Sequence, residues 1–116
     1  PSRILVLLNI ITKDQLLVQE EYEEIVQDLR EMAASYGKVV SMVVPQPKDS
    51  NHECAGMGHA FVEYSAVSSA QLARRVGQYD SGNYKEAFAR KLVEACYHDE
   101  HKFAQKIYDV KLGYLK

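Results

Sequence analysis

The chain has no apolar run near the roughly 18 residues that a membrane-spanning helix needs, and no signal peptide is visible. Cysteine is scarce: Cys54 and Cys96 are the only two. They are too few for a disulfide framework, suggest a reducing compartment, and need not pair. Glycine is missing where a phosphate loop would need it, since "NIITKD" follows the first apolar run without one. Paired C-x2-C spacings are absent too. His52, Cys54 and His59, with Cys96, His98 and His101, are metal-ligand residue types, but their spacing fits no zinc pattern. No Ser/His/Asp or Cys/His nucleophile arrangement is identifiable, so neither an enzyme nor a metal or cofactor site is expected. An excess of positive charge is also lacking. The net charge of −2 is a poor start for a nucleic-acid binder, because phosphate contacts supply most of that affinity.

What is present fits one globular domain spanning residues 1–116, a length with room for one core and not two. The first residue is Pro1, so the chain is expected to be a piece of a longer protein. Charge is unevenly spread. Residues 1–36 hold seven acids and three bases, a net of −4, whereas residues 37–116 hold nine acids and eleven bases, a net of +2. The acidity is therefore concentrated near the start, and the elements there decide which surface carries it.

"RILVLLNI" (Arg3–Ile10) reads as a strand buried on both faces. "EEYEEIVQDLREMAASYG" reads as a helix with Tyr22, Ile25, Val26, Leu29, Ala33 and Tyr36 on its inner face and Gly37 as its C′ residue. "KVVSMVVP" (Lys38–Pro45) is a second strand, followed by a polar loop, "QPKDSNHECAG". "GHAFVEYS" is a third strand, alternating Ala60 and Val62 against Phe61 and Glu63. "SSAQLARRVGQY" is a second helix, with Ser68 or Ser69 as cap and Leu72 and Val76 facing inward. "KLVEACY" (Lys91–Tyr97) is a fourth strand. Residues 98–116 form a C-terminal helix and tail, with Asp99 near its start and Phe103 and Ile107 on one side. The order βαββαβ predicts an α/β sandwich of the ferredoxin-like plan: a four-stranded antiparallel sheet with two helices on one face. The other face is left for a ligand or for the C-terminal helix.

That plan is the one used by RNA-recognition motifs, and "GMGHAFVEY" nearly spells their octamer. From Met57 to Tyr64, the glycine Gly58, the alanine Ala60 and the run Phe61, Val62, Tyr64 are in place. Met57 stands at the basic position and His59 at the first stacking aromatic. In the strand-one signature "LVLLNI", Val6 replaces the stacking aromatic. Only Phe61 remains of three platforms, each worth about 1–3 kcal/mol, so RNA binding is expected to be absent or weak.

The chain resembles the U2 auxiliary factor homology motif (UHM) family, and within it the C-terminal domain of the factor's large subunit. The similarity runs through "RILVLLNIITKDQLLVQEEYEEIVQDLREMAASYGKVVSMVVPQP", "GMGHAFVEYSAVSSAQLA" and "FARKLVEACYHDEHKF", with the "EEYEEI…YGKVVS" helix the most specific part. The resemblance implies an RNA-recognition-motif-like fold in a nuclear pre-mRNA splicing factor that binds protein instead of RNA. Its ligand would be a short peptide with one tryptophan preceded by Lys or Arg, carried by a protein such as the branch-point-binding protein or a U2 particle subunit. In such domains the tryptophan enters between helix one and an Arg-x-Phe loop, and acids on helix one receive the basic residues. Here "FARKLVEACY" aligns without a gap if Phe88 is that phenylalanine, which puts Glu86 in place of the arginine. One inserted residue would bring Lys85 there instead. The helix-one acid that pairs with the arginine corresponds to Met32.

The helix can also be weighed residue by residue. At 100° per residue, Glu20, Glu24, Gln27, Asp28 and Glu31 form one stripe opposite the Tyr22–Leu29 face. A solvated face with acids near a helix N-terminus is the plain reading. Yet Asp28 and Glu31 lie beyond the first turn, and the face lacks the lysines that i, i+4 pairing would use. The stripe around Glu24, Asp28 and Glu31 therefore points to a basic partner. Glu24 and Asp28 on a solvated convex face have no reason for shifted pKa values, so they are not expected to act as an acid/base pair. Two alternatives remain beside the peptide reading: an RNA-binding RNA-recognition motif, and a homodimerisation or scaffold domain.

Overall fold

The fold is organised about β1 (Ile4–Leu8), five consecutive aliphatic residues of which none is more than 2% exposed. Side chains alternate across a strand, so Leu5 and Leu7 enter one core while Ile4, Val6 and Leu8 enter another. The computed structural model describes residues 1–76 and 94–110. β1 pairs antiparallel with β3 (Ala60–Tyr64) and β4 (Glu94–His98), and β2 (Val39–Val43) pairs with β3, giving the order β2-β3-β1-β4. This is the ferredoxin-like sheet that the order of elements predicts. On the edge strand β2 the register shifts between Val39 and Ser41, and the extra residue Val40 stands 55% exposed. A bulge of this kind twists an edge away from further pairing.

The helical side begins with an element that the sequence reading passes over. α1 (Lys13–Leu17) is a single short helix closed by a capping box. The Thr12 hydroxyl accepts the Gln15 N–H at 3.2 Å, and the Gln15 side-chain carbonyl accepts the Thr12 N–H at 3.0 Å. Both orphan donors are thereby satisfied, and Leu16 is buried. α2 (Gln19–Ala34) follows at once and packs Tyr22, Ile25, Val26, Leu29 and Ala33 into the main core, as its period requires, with Tyr36 just past its end in the same core. Tyr64 of β3 is 1% exposed and donates its hydroxyl to the Ala33 carbonyl at 2.8 Å; burial pushes its phenol far above the ordinary range.

Gly37 ends this segment differently from expectation. The helix caps at Ser35, and Ser35, Tyr36 and Gly37 donate to the carbonyls three residues back, so Gly37 lies one position beyond C′. Its requirement is one of space. A Cβ there would lie 2.5 Å from the Ser69 Cβ and closer still to its hydroxyl, at a backbone φ of +155°. Ser69 belongs to α3 (Val67–Arg74), whose N-cap is Ala66 with no side-chain cap, not Ser68 or Ser69. Its inner face also differs. Ala70 and Ala73 are fully buried, Val76 is partly buried against the core, and Leu72 is 37% exposed. Small residues face inward because α3 approaches the sheet and the end of α2 too closely for a leucine. Arg74 then ties α3 to β4, donating to the Ala95 carbonyl at 3.1 Å and lying over the Tyr97 ring.

The second sheet face is covered by α4 (Glu100–Ala104) and the residues after it. Asp99 caps α4 by accepting the Lys102 N–H at 2.9 Å, which holds its carboxyl below the usual range. Arg3 anchors the helix from β1: its Nε and guanidinium tip meet Glu100 at 2.9 and 2.8 Å, and its backbone N–H meets the other carboxylate oxygen at 3.0 Å. α4 stops at Gln105, and Lys106 turns the chain at φ +62°. Ile107 N–H donates to Lys102 O at 2.8 Å and Lys106 N–H to Phe103 O at 3.0 Å, a Schellman end with lysine at C′. Because the helix stops there, Ile107 is 37% exposed and does not join Phe103 on the sheet. Tyr108 and Val110 take that place.

Where β1 leaves the sheet, Asn9 adopts φ +52° and its N–H donates to Nδ1 of His59 at 2.9 Å. A backbone N–H only donates, so His59 holds its proton on Nε2. Burial lowers the His59 pKa below the ordinary histidine value.

Two expectations follow from these contacts. Gly37→Ala forces α2 and α3 apart and lowers stability by about 1–3 kcal/mol, the usual cost of overpacking; urea unfolding measures it, and Ser69→Gly in the same chain recovers part of the loss. For His59, a folded pKa below the unfolded one means that the unfolded chain binds more protons in the interval between them. Stability is then full above about pH 6.5 and falls as pH drops toward the folded value. Melting temperatures at pH 7.5 and 5.5 should show this loss, and His59→Asn, which keeps an acceptor but cannot titrate, should show less of it.

Candidate functional site

The structure treats oppositely the two surfaces that the sequence singles out for a ligand. On the outer sheet face, Val6 lies across from Phe61 on one side and Cys96 on the other. All three are buried, Val6 and Phe61 completely. The Phe61 ring is enclosed by His98 at 5.1 Å, Tyr108 at 5.2 Å and Phe103 at 6.4 Å between centroids. His98 donates Nε2–H to the Ile107 carbonyl at 2.8 Å, which fastens the covering segment. Gly56 of the β2–β3 loop approaches from the other side; a Cβ there would meet Tyr108 and Phe61 at 2.9 Å. The residual RNA-type positions Val6, His59 and Phe61 are thus interior residues, with no aromatic face open for a base.

The outward face of α2 is open. Glu24, Asp28 and Glu31 are all exposed, as the helical period predicts. Glu24 and Asp28 converge with Glu21 around a concavity of about 220 Å³, floored by the partly buried Ile25 and bordered by Gln15 from α1. Glu31 lies outside it and accepts Gln27 Nε2–H at 3.0 Å. Among the described residues no Lys, Arg or His forms an ion pair with any acid of this helix; the two ion pairs are Arg3–Glu100 and His52–Asp49. Among the described residues, these acids therefore face solvent uncompensated, beside an apolar side chain.

Gln15 and Glu21 also line this concavity, and the sequence alone does not single them out. Thr12-x-x-Gln15 is a readable capping-box signature that places α1, and hence Gln15, beside the helix. Phe88, Lys85 and Glu86 lie outside the described residues. Met32 is partly buried against the main core, an environment suited to an apolar side chain and not to a paired acid. Cys54 and Cys96 both keep their thiols, and burial pushes the Cys54 thiol up. No three His, Cys, Asp or Glu side chains converge on a common point among the described residues.

No family model matches the chain. It is 37% identical over 109 residues to the A form of the splicing factor U2af large subunit from Oryza sativa subsp. japonica, covering 94% of this chain and 18% of that protein. It is 33% identical to the B form of the same factor from Triticum aestivum and 34% identical to the B form from Arabidopsis thaliana, again over 94% of this chain and 19% and 18% of theirs. The chain thus spans less than a fifth of the length of the curated relatives it matches. Among solved structures, the Rna15 RRM with bound RNA (GU) aligns with a TM-score of 0.54 at 17% identity, over 91% of this chain and 96% of that one. The RNA15 RRM alone aligns with a TM-score of 0.54 at 18% identity, over 90% and 98%. The structural likeness establishes the RNA-recognition-motif fold, and the sequence likeness establishes descent shared with a splicing factor and not with an enzyme. The chain is thus homologous to a segment of the splicing factor U2af large subunit and has the RNA-recognition-motif fold.

Proposed function

We propose that this chain is a UHM-type protein-interaction domain of a nuclear pre-mRNA splicing factor. It binds a short basic peptide with one tryptophan, carried by another spliceosomal protein during 3′ splice-site recognition. The observation that carries this reading is the contrast between the two faces. Phe61, the one retained stacking aromatic, has no exposure, while Glu21, Glu24 and Asp28 line an open concavity without a basic neighbour among the described residues. The relatives' name as forms of a splicing factor supports the setting. Glu24 and Asp28 receive the Lys or Arg residues of the peptide, with Glu31 further along the same face. Each exposed ion pair contributes about 0.2–1 kcal/mol. The tryptophan carries the larger share: an indole burying about 150–250 Å² gains roughly 4–6 kcal/mol before ordering costs. The family resemblance assigns Phe88 to the wall of its pocket, and Lys85 or Glu86 to the position of an arginine that would add only about 0.5–2 kcal/mol.

The chain contains no tryptophan, so indole fluorescence in a titration reports the peptide alone. Replacing Glu24 and Asp28 together by Lys should weaken binding roughly ten- to a hundredfold, because attraction becomes repulsion at both sites. The melting temperature should barely move, since both side chains are exposed and form no ion pair among the described residues. Unchanged peptide affinity would remove the acidic face from the site.

Phe88→Ala should abolish binding, whereas Glu86→Arg should strengthen it. A Phe88→Ala protein that remains folded and binds normally would place the tryptophan pocket elsewhere. A short uridine-rich RNA titrated alongside should bind no tighter than the non-specific range near 10⁻⁴ M at physiological salt. Saturable micromolar RNA binding would favour the RNA reading instead.

A further inference from the structure

The C-terminal end of α3 meets β4 across a concavity of about 520 Å³, lined by Gln71, Arg74, Arg75 and Tyr97. Spacings of three and four put Gln71, Arg74 and Arg75 on one side of the last helical turn. Arg74 is fixed from two directions. Its Nε–H donates to the Ala95 carbonyl at 3.1 Å, and its guanidinium carbon lies 5.4 Å from the centre of the Tyr97 ring. The bond to Ala95 uses one of the five N–H donors of an arginine, and the ring limits how the rest of the fork can turn. Arg75 closes the helix, its backbone N–H donating to the Gln71 and Leu72 carbonyls, and its side chain is exposed. The acid of β4, Glu94, shares the opposite sheet face with Cys96 and His98, where the three pair with Leu8, Val6 and Ile4.

Arginines at a helix C-terminus offset the negative end of its dipole, which is the plain reading of the pair. That reading needs only their charge. It calls for neither a concavity nor a guanidinium held to a neighbouring strand. Two forks beside an amide are an arrangement that receives a tetrahedral anion, whose oxygens accept from both at once. The two cations are consecutive in the chain, so they suit one compact, doubly charged group better than an extended row of phosphates. Single-stranded RNA would also need open aromatic faces, and Arg74 already covers a face of the Tyr97 ring. We propose that this concavity docks a phosphorylated serine or threonine side chain of a partner protein. The site lies on α3 and β4, so the inference does not depend on the peptide reading of α2.

Amide spectra of the isotope-labelled chain test the site, with capped phosphoserine as the probe and capped serine, inorganic phosphate and dimethyl phosphate beside it. Phosphoserine should shift the amides of Gln71, Arg74, Arg75 and Tyr97 saturably, and capped serine should not. Inorganic phosphate should move the same four amides. Dimethyl phosphate, a diester with a single charge, should bind several-fold more weakly than phosphoserine. Arg75→Gln keeps a good helix former at an exposed position, so stability in urea should change little. It should weaken phosphoserine binding about tenfold, the weight of one charge-assisted hydrogen bond. Arg74→Lys keeps the charge but not the fork, and should weaken binding as well. Shifts spread over bases elsewhere, without saturation at these four amides, would mean an adventitious ion only and would overturn the site. Dimethyl phosphate binding as tightly as phosphoserine would point to a nucleic-acid backbone and overturn the phosphoprotein assignment. Undiminished phosphoserine binding by the Arg75→Gln protein would overturn it too.

Discussion

A strand of five aliphatic residues with water on neither side is the constraint from which the other arrangements follow. Each fully buried aliphatic side chain contributes about 1.5–3 kcal/mol, but only if something covers it. Leu5 and Leu7 are covered by α2 and α3, which is the ordinary half of a two-layer sandwich. Ile4, Val6 and Leu8 need a second layer, and the chain supplies it from α4, Tyr108 and Val110. A sheet built to present its outer face to a ligand would carry polar or isolated aromatic residues there. This one carries a second core.

The same constraint decides which surface is left for recognition. α2 spends its apolar stripe on the main core, so its opposite face can offer only charge. α1 makes that face concave, because the capping box holds Gln15 against the start of α2 while Ile25 remains half-exposed between the acids. A convex row of carboxylates would attract any cation weakly. A shallow acidic groove with an apolar floor discriminates in favour of a chain that brings both a cation and a hydrocarbon surface.

Much of this is legible in the residues, and the failures have specific causes. The strands, α2 and the acidic stripe follow from periods of 2 and 3.6 and emerge with ends shifted by one or a few residues. α1 escapes the periodicity because five residues are too few to show one, although its capping box is written in Thr12 and Gln15. The inner face of α3 is misjudged because hydrophobicity favours Leu72, whereas the close approach at Gly37 and Ser69 selects Ala70 and Ala73. That is a tertiary fact with no local signature. Ile107 reaches the sheet only if the last helix continues past a lysine, and a left-handed lysine gives no warning of the kind a glycine gives. For the concavity, helix geometry places Glu24 and Asp28 on one exposed face, but the wall contributed by a neighbouring element cannot be seen from one helix alone.

The pairing of the second core also has a consequence for how the molecule is made. Ile4, Val6 and Leu8 emerge from the ribosome among the first residues of this segment, and Phe103 among the last. At about 5–20 residues per second, the intervening hundred residues take roughly 5–20 seconds. Throughout that interval the outer side of the nascent β1 lacks α4 as its cover, even if α2 has already covered the other. The most apolar stretch of the chain is therefore the one that waits longest for shelter, and it is where a chaperone would be expected to hold this protein during synthesis.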